Sequence, residues 1–220
     1  LSAASDDGMP DPFGYFAMAR VKFGGQELVI TRTGYTNELG WEFYTESHHD
    51  ADALWQHLKQ AGEPFGIDIF GLDAMHIRRI EAGILNAGSD FDHTTTPYDV
   101  GLGMFVDQHK SDFIGQLALK NASKETRLIG ILCAAEPHIG AAIMVDGQTV
   151  GKITAGAMSP YLKQGIGIAL MLESGYLPHT GVSVGCIDGK LHKGQLAELP
   201  LYDKAGAIQR GRFIELPTRD

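Results

Sequence analysis

From residue 127 onward the chain breaks into short apolar runs at close intervals. They are LIGILC at 128–133, AAIMV at 141–145, TVGKIT at 149–154, GIGIALM at 165–171, GVSVGCI at 181–187 and KGQLAEL at 193–199. Gly, Pro and Asp punctuate them, and Asp146-Gly147 and Asp188-Gly189 are two-residue hairpin signals. Many short strands with regular turns fold as an all-β sandwich or barrel. The pattern predicts such a domain over 126–220.

The first part of the chain has a different texture. Residues 1–12 read as a loop or a disordered end. Phe13–Phe23 alternates like a strand, with Phe16, Met18, Val21 and Phe23 pointing inward. Gly24-Gly25 is a turn, and Leu28–Thr31 is a second strand. Ser47 and Asp50 offer helix-start chemistry, and Ala53, Leu54, Trp55, Leu58 and Ala61 follow at helical spacing. Gly62 and Pro64 end that helix. Ile67, Ile69 and Phe70 read as a short strand-like run, and a second helix is expected from Leu72 to Leu85. The class is therefore α+β: an α+β part over 1–85, a connector with a short helix (Gln116–Ala122) over 86–125, then the β domain.

Between the strand ending at Thr31 and a strand bearing Trp41, Phe43 and Tyr44 lies GYTNELG, too rich in Gly and Asn for one regular element. Its inventory of Tyr35, Thr36, Asn37 and Glu38, with Glu42 just beyond, suits a flat heterocycle that donates hydrogen bonds. It equally suits an ordinary hairpin with an exposed acidic loop. Arg78 and Arg79 project about 100° apart on a helix, so one is expected in solvent and the other turned towards a carboxylate. Asp90, Asp92 and His93 share a loop but match no metal-ligand spacing, and no metal is expected.

A net charge of −9 argues against nucleic-acid binding, which needs a basic face. Cys133 and Cys186 form no CxxC pattern and sit in apolar surroundings, as buried thiols do. No apolar run reaches the roughly 18 residues of a membrane span, and no signal peptide opens the chain. The expectation is a cytoplasmic protein without membrane contact. Leu1 and a polar, Pro-rich opening read as a fragment boundary, and a homo-oligomer is left open.

Five blocks in order carry a resemblance: RTGYTNELGWEFY, GLDAMHIRRIEAGIL, TPYDVGLGMFVD, DFIGQLAL and VGKITAGAMSPYLKQGIGIALM. The first resembles the RTGYTGExGxE signature of the glycine cleavage T-protein family, the folate-dependent one-carbon transferases. The likeness runs from Phe13 to Asp203 and covers only the later part of a family member. It implies the later portion of that family's folate-binding fold followed by a C-terminal antiparallel β-barrel. The family's catalytic aspartate would lie upstream of Leu1.

The resemblance implies tetrahydrofolate as cofactor and Glu42, seven residues after Tyr35, as the pterin-binding glutamate. A carboxylate can accept the paired N–H donors of an aminopyrimidine edge. Tyr35 would offer a ring face and hydroxyl, and Glu38 would order the loop. Arg79 and Glu81 match recurrent family positions, as a structural ion pair or a substrate contact. Met75 stands where aminomethyltransferases carry the arginine of GLxARD, followed by His76, and a thioether cannot replace a guanidinium. Met104 stands where the family often has an aromatic residue. HIRRIEAGILNAGSD is similar to the dimethylsulfoniopropionate demethylase branch, which implies a small-molecule methyl donor. The alternatives are a glycine-cleavage aminomethyltransferase, a non-catalytic folate-binding protein of the same fold, and the folate-binding part of a flavin-linked demethylating dehydrogenase.

Overall fold

The computed structural model describes residues 1–212 and 214. It divides into two compact units, one of Leu1–Met75 with Ala205–Ile214 and one containing His76–Lys204. Of the expected 126–220 domain, residues 213 and 215–220 lie outside the described residues.

The first unit is built on an antiparallel sheet of three strands in the order β1 (Met18–Phe23), β2 (Gln26–Thr31) and β3 (Glu42–Tyr44). Gly24 and Gly25 both have positive φ, 58° and 80°, the backbone a two-residue hairpin turn needs. Asp6 accepts from both turn amides, at 3.0 and 2.7 Å. That contact, and buried Ala4, tie down the opening segment that composition alone assigns to a loop or disorder. Helix α1 (Ala51–Gly62) starts at Asp50, whose carboxylate accepts from the Ala53 amide at 2.9 Å. Gln26 and Asp50 exchange two further bonds, at 2.7 and 3.0 Å, which fix the helix start against β2. Val21, Phe23, Leu28, Ile30 and Leu54 form the core beneath it.

Three expectations for residues 1–85 are corrected. Phe16 and Met18 are exposed rather than inward, because Phe16 takes a left-handed φ of 67° and the strand begins only at Met18. Residues 67–70 form no strand, since Pro64 and left-handed Gly66 break the chain just before them. Helix α2 (Leu72–Glu81) stops short of Leu85. Gly83 has φ 67°, its amide donates to Ile80 O, and Ile84 N donates to Arg79 O at 2.8 Å. This pair of bonds closes a helix end around a left-handed glycine.

In the second unit, a largely irregular segment with helix α3 (Gln116–Asn121) leads into six strands. These are β4 (Leu128–Cys133), β5 (Ala142–Val145), β6 (Gln148–Ser159), β7 (Gln164–Met171), β8 (Gly181–Gly185) and β9 (Leu191–Ala197). They close into an antiparallel barrel in the order β4-β7-β6-β5-β8-β9. Ile131, Ile143, Ile153, Val184 and Leu196 fill it. The segment after β4 crosses so close to the barrel that a Cβ on Gly165 would lie 1.9 Å from Ala135 O. One on Gly156 would lie 2.1 Å from Pro137 O.

Cys133 and Cys186 are buried in this barrel, and both thiols point at the Ala135 carbonyl, at 2.8 and 3.6 Å. Burial raises both above the ordinary thiol value, Cys186 to about 12. A thiol that stays protonated and covered is a poor nucleophile. We expect a disulfide-exchange reagent at pH 8 to label neither cysteine in the folded protein and both after denaturation.

Candidate functional site

In the first unit, the loop between β2 and β3 is clasped by a buried arginine. Arg32 donates to Gly40 O at 2.9 Å through Nη1 and to Gln209 O at 2.8 Å through Nη2. Its guanidinium lies over the Trp41 ring, 4.8 Å from the centroid. One cation therefore gathers both ends of the loop and the returning segment at 209. Within the loop Asn37 is buried at a left-handed φ of 59°, a conformation asparagine tolerates.

Glu42 is the first residue of β3, facing Thr31 in register, with Thr31 facing Met18 on the next strand. By alternation these residues share the sheet face opposite the Val21, Phe23 and Ile30 core. The Glu42 carboxylate is exposed and accepts a hydrogen bond from the Thr33 hydroxyl. Thr33 in turn lies 2.5 Å from the Thr31 hydroxyl. A carboxylate oxygen can accept more than one bond, so Thr33 orients Glu42 and leaves it chemically able to take paired donors. Tyr35 and Glu38 are half-buried in the same loop. The sheet and the Arg32 clasp thus hold Tyr35, Glu38 and Glu42 within one short framework.

The other candidates have different surroundings. Met75 is half-buried on α2. Arg79, in the second unit, is committed to Asp90 at 2.6 Å and to Ile84 O at 3.1 Å. Asp90 also accepts from the Thr154 hydroxyl at 2.6 Å and the Asn86 amide at 2.8 Å. These partners take Asp90 out of the Asp90–Asp92–His93 grouping, and Asp92 bonds to Thr94. No cluster of three or more metal-ligating side chains occurs among the described residues. Neither arginine is in solvent, where one of the two is expected: Arg78 is 15% exposed and Arg79 4%. Arg78 pairs with buried Glu81 and lies over the rings of Tyr161 and Tyr202, at 5.0 and 5.2 Å. Glu81 also accepts from Ser159 at 2.5 Å and from Tyr202 at 3.2 Å.

Residues 1–110 match the family described as GCVT N-terminal domain, and residues 126–203 match the Glycine cleavage T-protein C-terminal barrel domain. The chain belongs to the glycine cleavage T-protein family. An aminomethyltransferase of Caldanaerobacter subterraneus subsp. tengcongensis is 35% identical over 176 residues, covering 78% of this chain and 47% of that protein. One from Geobacillus sp. is 35% identical over 191 residues, covering 84% and 52%. The crystal structure of glycine cleavage system aminomethyltransferase T from Bartonella henselae shares the fold, with a TM-score of 0.77 at 23% identity. The match covers 95% of this chain and 56% of that one. The chain spans about half the length of the curated relatives it matches.

Sequence reasoning gave Arg32 no role, although it lies inside the first family block. Its position between a β-forming run and a Gly-rich loop is the available signal. We expect Arg32→Met to cost roughly 2–3 kcal/mol, since two carbonyls lose a charged donor. Amide exchange across 34–41 should accelerate while the barrel is unchanged. Arg79→Met leaves Asp90 buried and unpaired and should destabilise the barrel unit by about 3–5 kcal/mol in urea unfolding, with Asp90→Asn in the same chain recovering part of the loss.

Proposed function

We infer that this chain is the folate-binding later part of a tetrahydrofolate-dependent one-carbon transferase. The observation that carries the reading is the Glu42 carboxylate, oriented by Thr33 on an exposed sheet face beside a clasped loop. In this reading Glu42 takes the aminopyrimidine edge of the pterin, Tyr35 lies against it, and Glu38 orders the loop. The two oxygens of a carboxylate match paired N–H donors, and a preset rotamer lowers the ordering cost of binding. Tetrahydrofolate supplies the nitrogen that accepts the one-carbon unit. The residues here bind and orient it, and the resemblance assigns the catalytic aspartate to the preceding part of the family fold.

The finer reading is methyl transfer from a small donor such as dimethylsulfoniopropionate. It is supported by HIRRIEAGILNAGSD and by Met75 at the place of the family arginine. A sulfonium is already a good leaving group, so positioning supplies most of the rate. The alternative is aminomethyl transfer, the activity for which the relatives are named. A cytoplasmic location and the absence of a nucleic-acid partner complete the proposal. No helix among the described residues is long and apolar enough to cross a membrane.

The test is tetrahydrofolate titration of a full-length protein carrying this chain. Glu42→Gln exchanges one acceptor oxygen for a donor, and a hydrogen bond to a charged group is worth roughly 1.5–3 kcal/mol. Affinity should fall about 10- to 150-fold, and less in Glu38→Gln. A large loss in Glu38→Gln with none in Glu42→Gln would transfer the pterin to Glu38. No loss in either would remove it from this loop.

A further inference from the structure

In the second unit, a cavity of about 240 Å³ opens at one end of the barrel. It lies between the start of β4, the end of β7 with the loop after it, and the end of β9. Leu128, Met171, Tyr176, Pro178 and Leu199 give it apolar walls. Met171 belongs to the barrel core, and Tyr176 packs against that core. The Ser174 hydroxyl donates to the Glu125 carboxylate, which ties the β7–β8 loop to the segment before β4. A second cavity, of about 290 Å³, adjoins the first across Thr126, Leu128 and Leu199, and no charged side chain lines it. Three charged side chains line the first cavity: Arg127, Glu173 and Glu198. Their charges are not equally available. Arg127 is committed, with Nε donating to Asp99 at 2.8 Å and Nη1 to Met171 O at 3.3 Å. Glu198 pairs with Lys204. Glu173 has no ion-pair or hydrogen-bond partner among the described residues. The charge left open at this cavity is therefore negative, beside apolar walls. Apolar walls with a few polar groups are the anatomy of a small-molecule site.

We propose that this cavity binds a small aliphatic monoamine, with its ammonium against Glu173 and its alkyl body on Leu128, Met171 and Leu199. A cation fits better than an anion. The positive group in the lining is already neutralised by Asp99, and an anionic ligand would meet Glu173 and Glu198 with like charge. The alkyl body gains by leaving water for the apolar walls. A diamine fits less well, because its far ammonium would lose water beside the uncharged second cavity. The site lies within the second unit and does not depend on Glu42 or on folate.

Methionine-methyl NMR of a full-length protein carrying this chain tests it, with hexylammonium as the probe. The Met171 signal should move saturably, while that of Met18 in the first unit stays in place. Hexanol has the same length without the charge and should bind about fivefold more weakly, the factor an exposed ion pair supplies. Hexamethylenediamine should also bind more weakly than hexylammonium. Glu173 is exposed, so Glu173→Gln should keep the fold and bring hexylammonium down to the hexanol level. Glu63→Gln, in the first unit, should change nothing. Hexanoate binding as tightly as hexylammonium would overturn the proposal and make Arg127 the anchor of an anion site. Equal binding of hexylammonium and hexanol, or full affinity in Glu173→Gln, would reduce the site to an apolar cavity. No saturable movement of Met171 with hexylammonium would remove it altogether.

Discussion

One buried carboxylate, Asp90, sets the arrangement of the second unit. Its donors come from three places: Arg79 on α2, the Asn86 amide in the loop after α2, and Thr154 on β6. A carboxylate without water must have such partners, and each one lost leaves the charge more costly. Thr154 is available because the β6–β7 register shifts between Ile153 and Ala155, leaving Thr154 at the bulge. A bulge re-aims the side chain it carries. The barrel's one-residue irregularity thus reaches the end of a helix.

The first unit uses a cation where the second uses an anion. Arg32 gathers backbone carbonyls instead of a carboxylate, so its charge organises a loop without neutralising a partner. Arg78 shows a third solution, with its guanidinium shared between Glu81 and two tyrosine faces.

The barrel was the most legible part of the chain. The run LIGILC coincides with β4, and Asp146-Gly147 turns with φ of 48° and 80° between β5 and β6. Such signals are local, and burial on closing the barrel reinforces them. Alternation misled at Phe16 and Met18, because periodicity does not show whether anything covers a face. The apolar run at Ile67–Phe70 misled for another reason, the break at Pro64 and left-handed Gly66 just before it. Arg32 was illegible because Gln209 is 177 positions away. Which way Arg78 turns was not legible, because its aromatic partners Tyr161 and Tyr202 lie far along the chain. For the candidate loop, residue types suggested what it could bind, while the Thr31–Thr33–Glu42 chain of hydroxyls needed coordinates.

The strand bearing Glu42 is only three residues long, with three register pairs to β2. Short edge segments open at a small fraction of the global unfolding free energy. A ligand that needs Glu42 in place meets a binding-competent population only while β3 is docked, and its apparent affinity is multiplied by that fraction. The affinity of such a ligand would be adjustable from a distance. A change that steadies β3 tightens binding without touching the ligand, and one that loosens it weakens binding with every contact residue intact.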